Sequence, residues 1–130
     1  MSHEIKDDLR YTKDHEWARK DGDEIVIGIT AYAVEQLGDV TLVNIDLAVG
    51  EAVEDGKPFG TVESVKTLAD LFAPLTGELT AVNEALDDAP ELVNDDCYGE
   101  GWMVKLKASD AAAYDGLMNA DAYKALLADS

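Results

Sequence analysis

Apolar residues in this chain recur at every second position, in short runs that glycine or proline soon closes. The run Glu24–Thr30, EIVIGIT, places Ile25, Ile27 and Ile29 on one face. That is the period of a strand, not of a helix. The run DVTLVNIDL alternates at Val43, Ile45 and Leu47, and WMVKLKAS sets Trp102, Val104 and Leu106 against Met103, Lys105 and Lys107. Between them, Gly50, Gly56 and Pro58 punctuate VGEAVEDGKPFG, and Pro74 to Gly77 in PLTGELTAV forms a Pro-x-x-Gly turn before another strand. Many short strands with such turns predict a mainly β domain, a small sandwich or barrel. VTLVNIDLAVGEAV and LADLFAPLTGELTAV both run strand, glycine-bearing turn, strand; two hairpin-like halves about a pseudo-twofold would produce that echo.

The period changes in two places. TAYAVEQLG has Thr30 where an N-cap is wanted and Gly38 where a left-handed residue ends a helix. Towards the C-terminus, Tyr114, Leu117 and Met118, then Tyr123, Leu126 and Leu127, follow helical spacing, with Ser109 and Asn119 as candidate N-caps. The expectation is one domain over residues 1–130, mainly β with short helices, including a helical segment at about 109–128 that packs on the body. A chain of 130 residues, 47% hydrophobic, is large enough for one core.

Charge and residue types narrow the function classes. A net charge of −18 repels nucleic acid and anionic membrane surfaces. No apolar run approaches the roughly 18 residues of a membrane span. The start, MSHEIKDD, has neither an apolar signal core nor an Arg-rich transit pattern, so a soluble cytoplasmic protein is expected. Cys97 is the lone cysteine, and His3 and His15 are the only histidines, so no metal site is expected. His15 reads as a packed or capping histidine beside Trp17 rather than a catalytic base. An enzyme using His15 and Glu16 as base and acid lacks a nucleophile or metal beside them, and Cys97 has no assignable base. The acidic stretch EALDDAPELVNDD lacks the ligand spacing of an EF-hand and reads as a solvated loop with a short turn starting at Pro90.

Lys66 stands inside the β-rich stretch GTVESVKTLADLFAPLTGEL, with Glu63 three residues before it and Asp70 four after. By pattern alone it is a solvated strand lysine paired with one of those acids. Gly60-Thr-Val-Glu63-Ser64-Val65-Lys66, followed by Pro74 and Gly77, resembles the lipoyl-lysine motif of the glycine cleavage system H-protein family. The resemblance continues through YTKDHEW (Tyr11–Trp17), IGIT with LGD (Ile27–Asp39), NEAL and PELVN (Asn83–Asn94), and YGEGWMVKLK (Tyr98–Lys107). Any one of these is weak; in order and with compatible spacing they are specific. Ala31, Thr67, Leu68, Ala69, Phe72 and Cys97 depart from the residues common in that family. A biotin carrier usually has Met on both sides of its lysine, where Val65 and Thr67 stand here. The lipoyl domain of a 2-oxoacid dehydrogenase usually has Asp before its lysine and lacks the HEW and YGEGW segments.

The resemblance implies a non-catalytic covalent carrier: a flattened barrel or sandwich of the lipoyl/biotinyl-carrier type, with lipoate on Lys66 at an exposed hairpin tip. It implies that Glu63, Gly60 and Gly77 serve recognition by the lipoate-attaching enzyme. It also implies three enzyme partners: glycine decarboxylase with pyridoxal phosphate, a tetrahydrofolate-dependent aminomethyltransferase, and dihydrolipoyl dehydrogenase. The loaded arm would fold into a cleft where Glu16 and Asp70 face its amine. A related carrier that relays lipoate to other enzymes fits the same residues.

The charge itself has two readings, adaptation to high salt or an ordinary acidic protein that steers basic partners. In the first, self-repulsion destabilises the compact state and high salt screens it. The melting temperature is expected to rise from low to molar monovalent salt; a flat or falling profile in a thermal scan would remove the high-salt reading.

Overall fold

The computed structural model describes residues 5–110 and 112–128. Its strands are β1 (Arg10–Tyr11), β2 (Glu16–Asp21), β3 (Glu24–Ile29), β4 (Val40–Ile45), β5 (Ala52–Val53), β6 (Pro58–Ser64), β7 (Leu68–Phe72), β8 (Gly77–Val82) and β9 (Val104–Ala108). The helices are α1 (Ala31–Leu37), α2 (Ala85–Asp88), α3 (Leu92–Asp95), α4 (Ala112–Asp115) and α5 (Ala120–Ala128). The strands form two antiparallel sheets rather than a closed barrel: six strands in the order β1-β2-β3-β9-β8-β5, and three in the order β4-β6-β7.

β3 lies inside the larger sheet and is buried on both faces. Ile25, Ile27 and Ile29 enter the core between the sheets, with Val43, Phe59, Val62 and Leu71 of the smaller sheet. Val26 points the other way, into a second cluster with Trp17, Tyr11, Tyr98 and Tyr123. The molecule is therefore layered: small sheet, large sheet, then α5 with the loop around Tyr98. Gly28 is needed where it stands, because a Cβ there would lie 2.7 Å from the Trp17 ring on the neighbouring strand.

The helix signals hold at α1 and α5. The Thr30 hydroxyl accepts from Ala33 N at 3.3 Å, and Gly38, at φ 77°, returns its N–H to Val34 O. Asn119 Oδ1 accepts from Ala122 N at 2.9 Å. Ser109 does not cap a helix. Its N–H donates to Thr76 O, and Asp110 Oδ1 accepts from Ala112 N at 3.0 Å instead. The C-terminal segment is two helices, α4 and α5, separated where Met118 exchanges both backbone hydrogen bonds with Tyr11. The acidic stretch after β8 is not merely a loop with one turn. It forms α2 and α3, single turns that bury Leu86 and Val93 in the main core.

Two strand readings shift. Leu47 falls beyond β4, and an irregularity between Val40 and Leu42 turns Leu42 to solvent. Trp102 precedes β9, while Met103 is fully buried in the cluster that holds Leu86 and Val93. The two echoing segments are not hairpins. Each passes from the small sheet to the large one, β4 to β5 and β7 to β8, and β5 then pairs antiparallel with β8. Among the described residues, no helix is long and apolar enough to cross a membrane, and no group of three or more His, Cys, Asp or Glu could hold a metal ion. His3 lies outside the described residues.

Candidate functional site

Lys66 sits at the tip of the β6–β7 hairpin, exposed beside Val65. The turn has no Asn-Gly or Asp-Gly pair, and Ser64 does their work. Its Oγ accepts from Lys66 N at 3.2 Å and from Thr67 N at 3.1 Å, and its N–H donates to Thr67 O at 2.8 Å. A side-chain hydroxyl that satisfies the turn's own amides closes it without a left-handed residue. The tip is also tied to the end of α1, because Val65 N donates to Asp39 O at 3.0 Å. Asn94 of α3 holds that segment in turn: its Nδ2 donates to Gly38 O and its Oδ1 accepts from Val40 N, each at 2.8 Å.

Gly38 has φ 77° and ψ −150°, a region essentially closed to residues with a Cβ. A Cβ there would also lie 3.2 Å from Lys66 Cε. The stem of Lys66 thus rests on bare backbone. Asn94 and Gly38 were not singled out for this role by sequence. Only the order of PELVN and LGD hinted at them; the contact joins residues far apart in the chain.

A cavity of about 180 Å³ lies between α1, β3 and β7, with Leu37, the residue before Gly38, in its lining. Its apolar lining includes Ile29, Leu37, Val62, Ala69 and Leu71, and its polar lining includes His15, Glu16 and Asp70. The structure therefore brings Glu16 and Asp70 to one cavity, in different settings. Glu16 is only 2% exposed. Its Oε1 accepts from Thr12 Oγ1 at 2.8 Å and its Oε2 from Phe72 N at 3.1 Å. Burial outweighs both hydrogen bonds and pushes its pKa up to about 8. Asp70 is exposed on the edge strand β7, in the outward row with Thr61 and Asn44, and reaches the cavity at its rim.

His15 is packed against Tyr32 and Tyr123, not Trp17. Its ring lies 4.6 Å from that of Tyr32, and its Nδ1 is 2.9 Å from the Tyr123 hydroxyl, which also meets Thr30 Oγ1 at 2.8 Å. Its backbone takes φ 67°, and burial pulls its pKa below the usual imidazole value. Through Tyr123, helix α5 is joined to both the cap of α1 and a wall of the cavity.

The other sequence candidates separate by environment. Glu63 is exposed on the outward face of the small sheet, cross-strand from Leu42 and Leu68. Gly60 and Gly77 are buried; a Cβ would strike Asn44 O at the first and Lys107 O at the second. Both glycines allow a neighbouring strand to approach. Nothing beside Lys66 supplies a nucleophile and base, so the arrangement suits an anchored group that swings between solvent and a sheltered, acid-bearing cavity.

The family model described as glycine cleavage H-protein matches residues 9–130. The chain is 56% identical to the glycine cleavage system H protein of Bacteroides thetaiotaomicron, over 92% of this chain and 94% of that one. It is 48% identical to that of Myxococcus xanthus over the full length of both. The crystal structure of a glycine cleavage system H protein from Mycobacterium marinum superposes with a TM-score of 0.86 at 38% identity, covering 95% of this chain and 99% of that one.

Glu16 predicts a pH dependence. Its pKa is about 8 folded, against 4.5 without the fold. The native state therefore holds a proton that the unfolded chain releases. That stability is fully present below about pH 4.5 and is lost as pH rises through 8. Glu16→Gln removes the titration. The stability of wild type relative to Glu16→Gln should fall across this window by at most about 5 kcal/mol, at 1.36 kcal/mol per pKa unit. Urea unfolding of both proteins at several pH values tests it, and parallel profiles would contradict a buried, protonated Glu16.

Proposed function

The chain belongs to the glycine cleavage H-protein family, and from that premise we propose that it carries lipoate on Lys66 and serves in the cytoplasm as the mobile carrier of glycine cleavage. As an H protein it is the lipoyl carrier subunit of that system and not a catalyst. The observation that carries the assignment of Lys66 is its place, exposed on a turn that Ser64, Asp39 and, through the backbone around Gly38, Asn94 hold in position. Attached to Lys66, lipoate would supply a disulfide able to accept and give up the aminomethyl group of glycine, with a pyridoxal-phosphate decarboxylase, a tetrahydrofolate-dependent aminomethyltransferase and dihydrolipoyl dehydrogenase as the partner enzymes. The residues present fit such a group: an open lysine, a glycine floor under its stem, and an apolar-walled cavity beyond.

Lys66 offers its amine to the lipoate-attaching enzyme. Acylation removes the ammonium charge that would oppose passage along Leu37 and Ala69. Stem and arm together reach on the order of 15 Å, counting roughly a dozen bonds of about 1.5 Å with zigzag shortening. Glu63 offers that enzyme an exposed carboxylate, while Gly60 and Gly77 set strand spacing behind the hairpin. Glu16 holds its proton while the cavity is empty. A cationic cargo amine beside its oxygens favours the carboxylate, and a carboxylate keeps that amine protonated, so its lone pair is not free to expel the sulfur. Asp70 adds negative charge at the rim.

Lys66→Arg keeps the positive charge and should abolish both lipoylation and glycine–bicarbonate exchange. Intact mass decides the first: lipoate on the Lys66→Arg protein would end the assignment. A lipoylated wild type without exchange would leave only the lipoate relay.

Glu16→Gln and Asp70→Asn, charged with cargo and freed of decarboxylase, should release ammonia or formaldehyde faster than wild type, with the larger effect at the buried Glu16. Rates equal to wild type in both, with lipoylation intact, would show that the cleft does not act through these carboxylates.

A further inference from the structure

The outward face of the small sheet carries an apolar surface that the carrier role alone does not use. Leu42, Glu63 and Leu68 are cross-strand neighbours in one row over β4, β6 and β7. Leu42 is 44% exposed and Leu68 60%, and Val65 at the tip is 67% exposed. The fourth large exposed hydrophobic residue among those described is Val49, 62% exposed in the turn before β5. Three of the four thus lie on the β6–β7 hairpin that carries Lys66 or on β4 beside it, on a chain with a net charge of −18. Leu42 and Leu68 flank Glu63 on the solvent face at the hairpin end of the small sheet, and exposed apolar patches mark contact surfaces.

Resting on the reading of Lys66 as a lipoylated lysine, we propose that Leu42, Leu68 and Val65, with Glu63 among them, form the docking face for the enzyme that attaches lipoate to Lys66. Reach selects this partner. The attaching enzyme must enclose the amine of the bare lysine and so covers the residues around it. The enzymes that act on the finished arm meet its far end, on the order of 15 Å out by the same bond count. Charge states the partner's chemistry. Residues 31–72 hold eight acidic side chains against two lysines, so the matching surface is apolar at its centre, with a cation opposite Glu63 and further basic residues at its edge.

The test uses the full unmodified chain, purified attaching enzyme and intact mass over time. Leu42→Thr and Leu68→Thr, singly and together, keep strand-compatible side chains; Val49→Thr is the control. Melting temperatures should stay near wild type, since these side chains are exposed. The double variant should lose about tenfold or more in kcat/KM for lipoylation, mostly through KM, as removal of central contacts does; Val49→Thr should match wild type. Lys66→Arg protein should compete with wild type for the enzyme, and adding both threonines should weaken that competition by a similar factor. Double-variant rates within about twofold of wild type, with undiminished competition, would overturn the docking face and leave the carrier reading intact. A double variant that is lipoylated normally but exchanges glycine slowly would also overturn it, assigning the face to the decarboxylase. Wild type that gains no lipoate at all would overturn the carrier reading itself.

Discussion

A single buried carboxyl group joins the two sheets at the place where the cavity ends. Glu16 stands on β2 of the large sheet and accepts a hydrogen bond from Phe72 N on β7 of the small one. Thr12, just before β2, satisfies the other oxygen and also accepts from the Glu16 amide at 3.3 Å. An ionised carboxylate cut off from water costs several kcal/mol without a counter-charge. Two hydrogen bonds do not remove that cost here, and the group holds its proton towards neutral pH. Protonated, Glu16 is a polar bridge that the core tolerates; ionised, it is a buried charge in need of a cation. The same group thus ties the two sheets together while protonated, and ionised it would favour a cation beside it.

The opposite end is built on a different principle. The lysine must be free while its base is fixed, and the structure fixes the base with backbone hydrogen bonds rather than packing. Ser64 closes the turn, Asp39 holds Val65, and Asn94 holds residues 38 and 40 on either side of Asp39. None of these touches the end of the Lys66 side chain. α3, which supplies Asn94, is anchored by Val93, fully buried in the core. The short helices after β8 therefore add more than acidic surface: they brace the hairpin from behind.

How far the sequence discloses this arrangement depends on the range of each interaction. Local signals are read well. The caps at Thr30 and Asn119, the end of α1 at Gly38 and the alternating run of β3 all rest on contacts within a few residues, and the structure has them. The layer count is not local. Ile25, Ile27 and Ile29 show one apolar face, but only the second cluster shows why Val26 and Gly28 are apolar too. The choice between barrel and sandwich rests on which strand pairs with which, and alternation carries no such information. Lys66, Glu16 and Asp70 entered through resemblance. The structure brings the last two to one cavity, yet burial, which decides that Glu16 is protonated while Asp70 sits in water, follows from tertiary packing alone. Ser64 was within reach of local reasoning, since a hydroxyl two residues before Lys66 can close a turn that lacks glycine. Asn94 was not, because its partners lie 54 and 56 residues away.

Taken together, the two ends make the state of Lys66 decide where its side chain can go. A bare ammonium remains in water, with its stem against the half-buried backbone of Gly38. Leu37, Val62 and Ala69 line the same cavity as Glu16, and a charge drawn against such an apolar wall loses hydration. Conversion of the amine to an amide removes this penalty at the stem and moves the cationic group to the far end of the arm. On the proposed reading the order of contacts would reverse there: the neutral stem would meet the apolar wall and the terminal amine Glu16. A cavity that mixes an apolar wall with the buried Glu16 would thus suit a neutral stem with a cationic end better than the unmodified lysine.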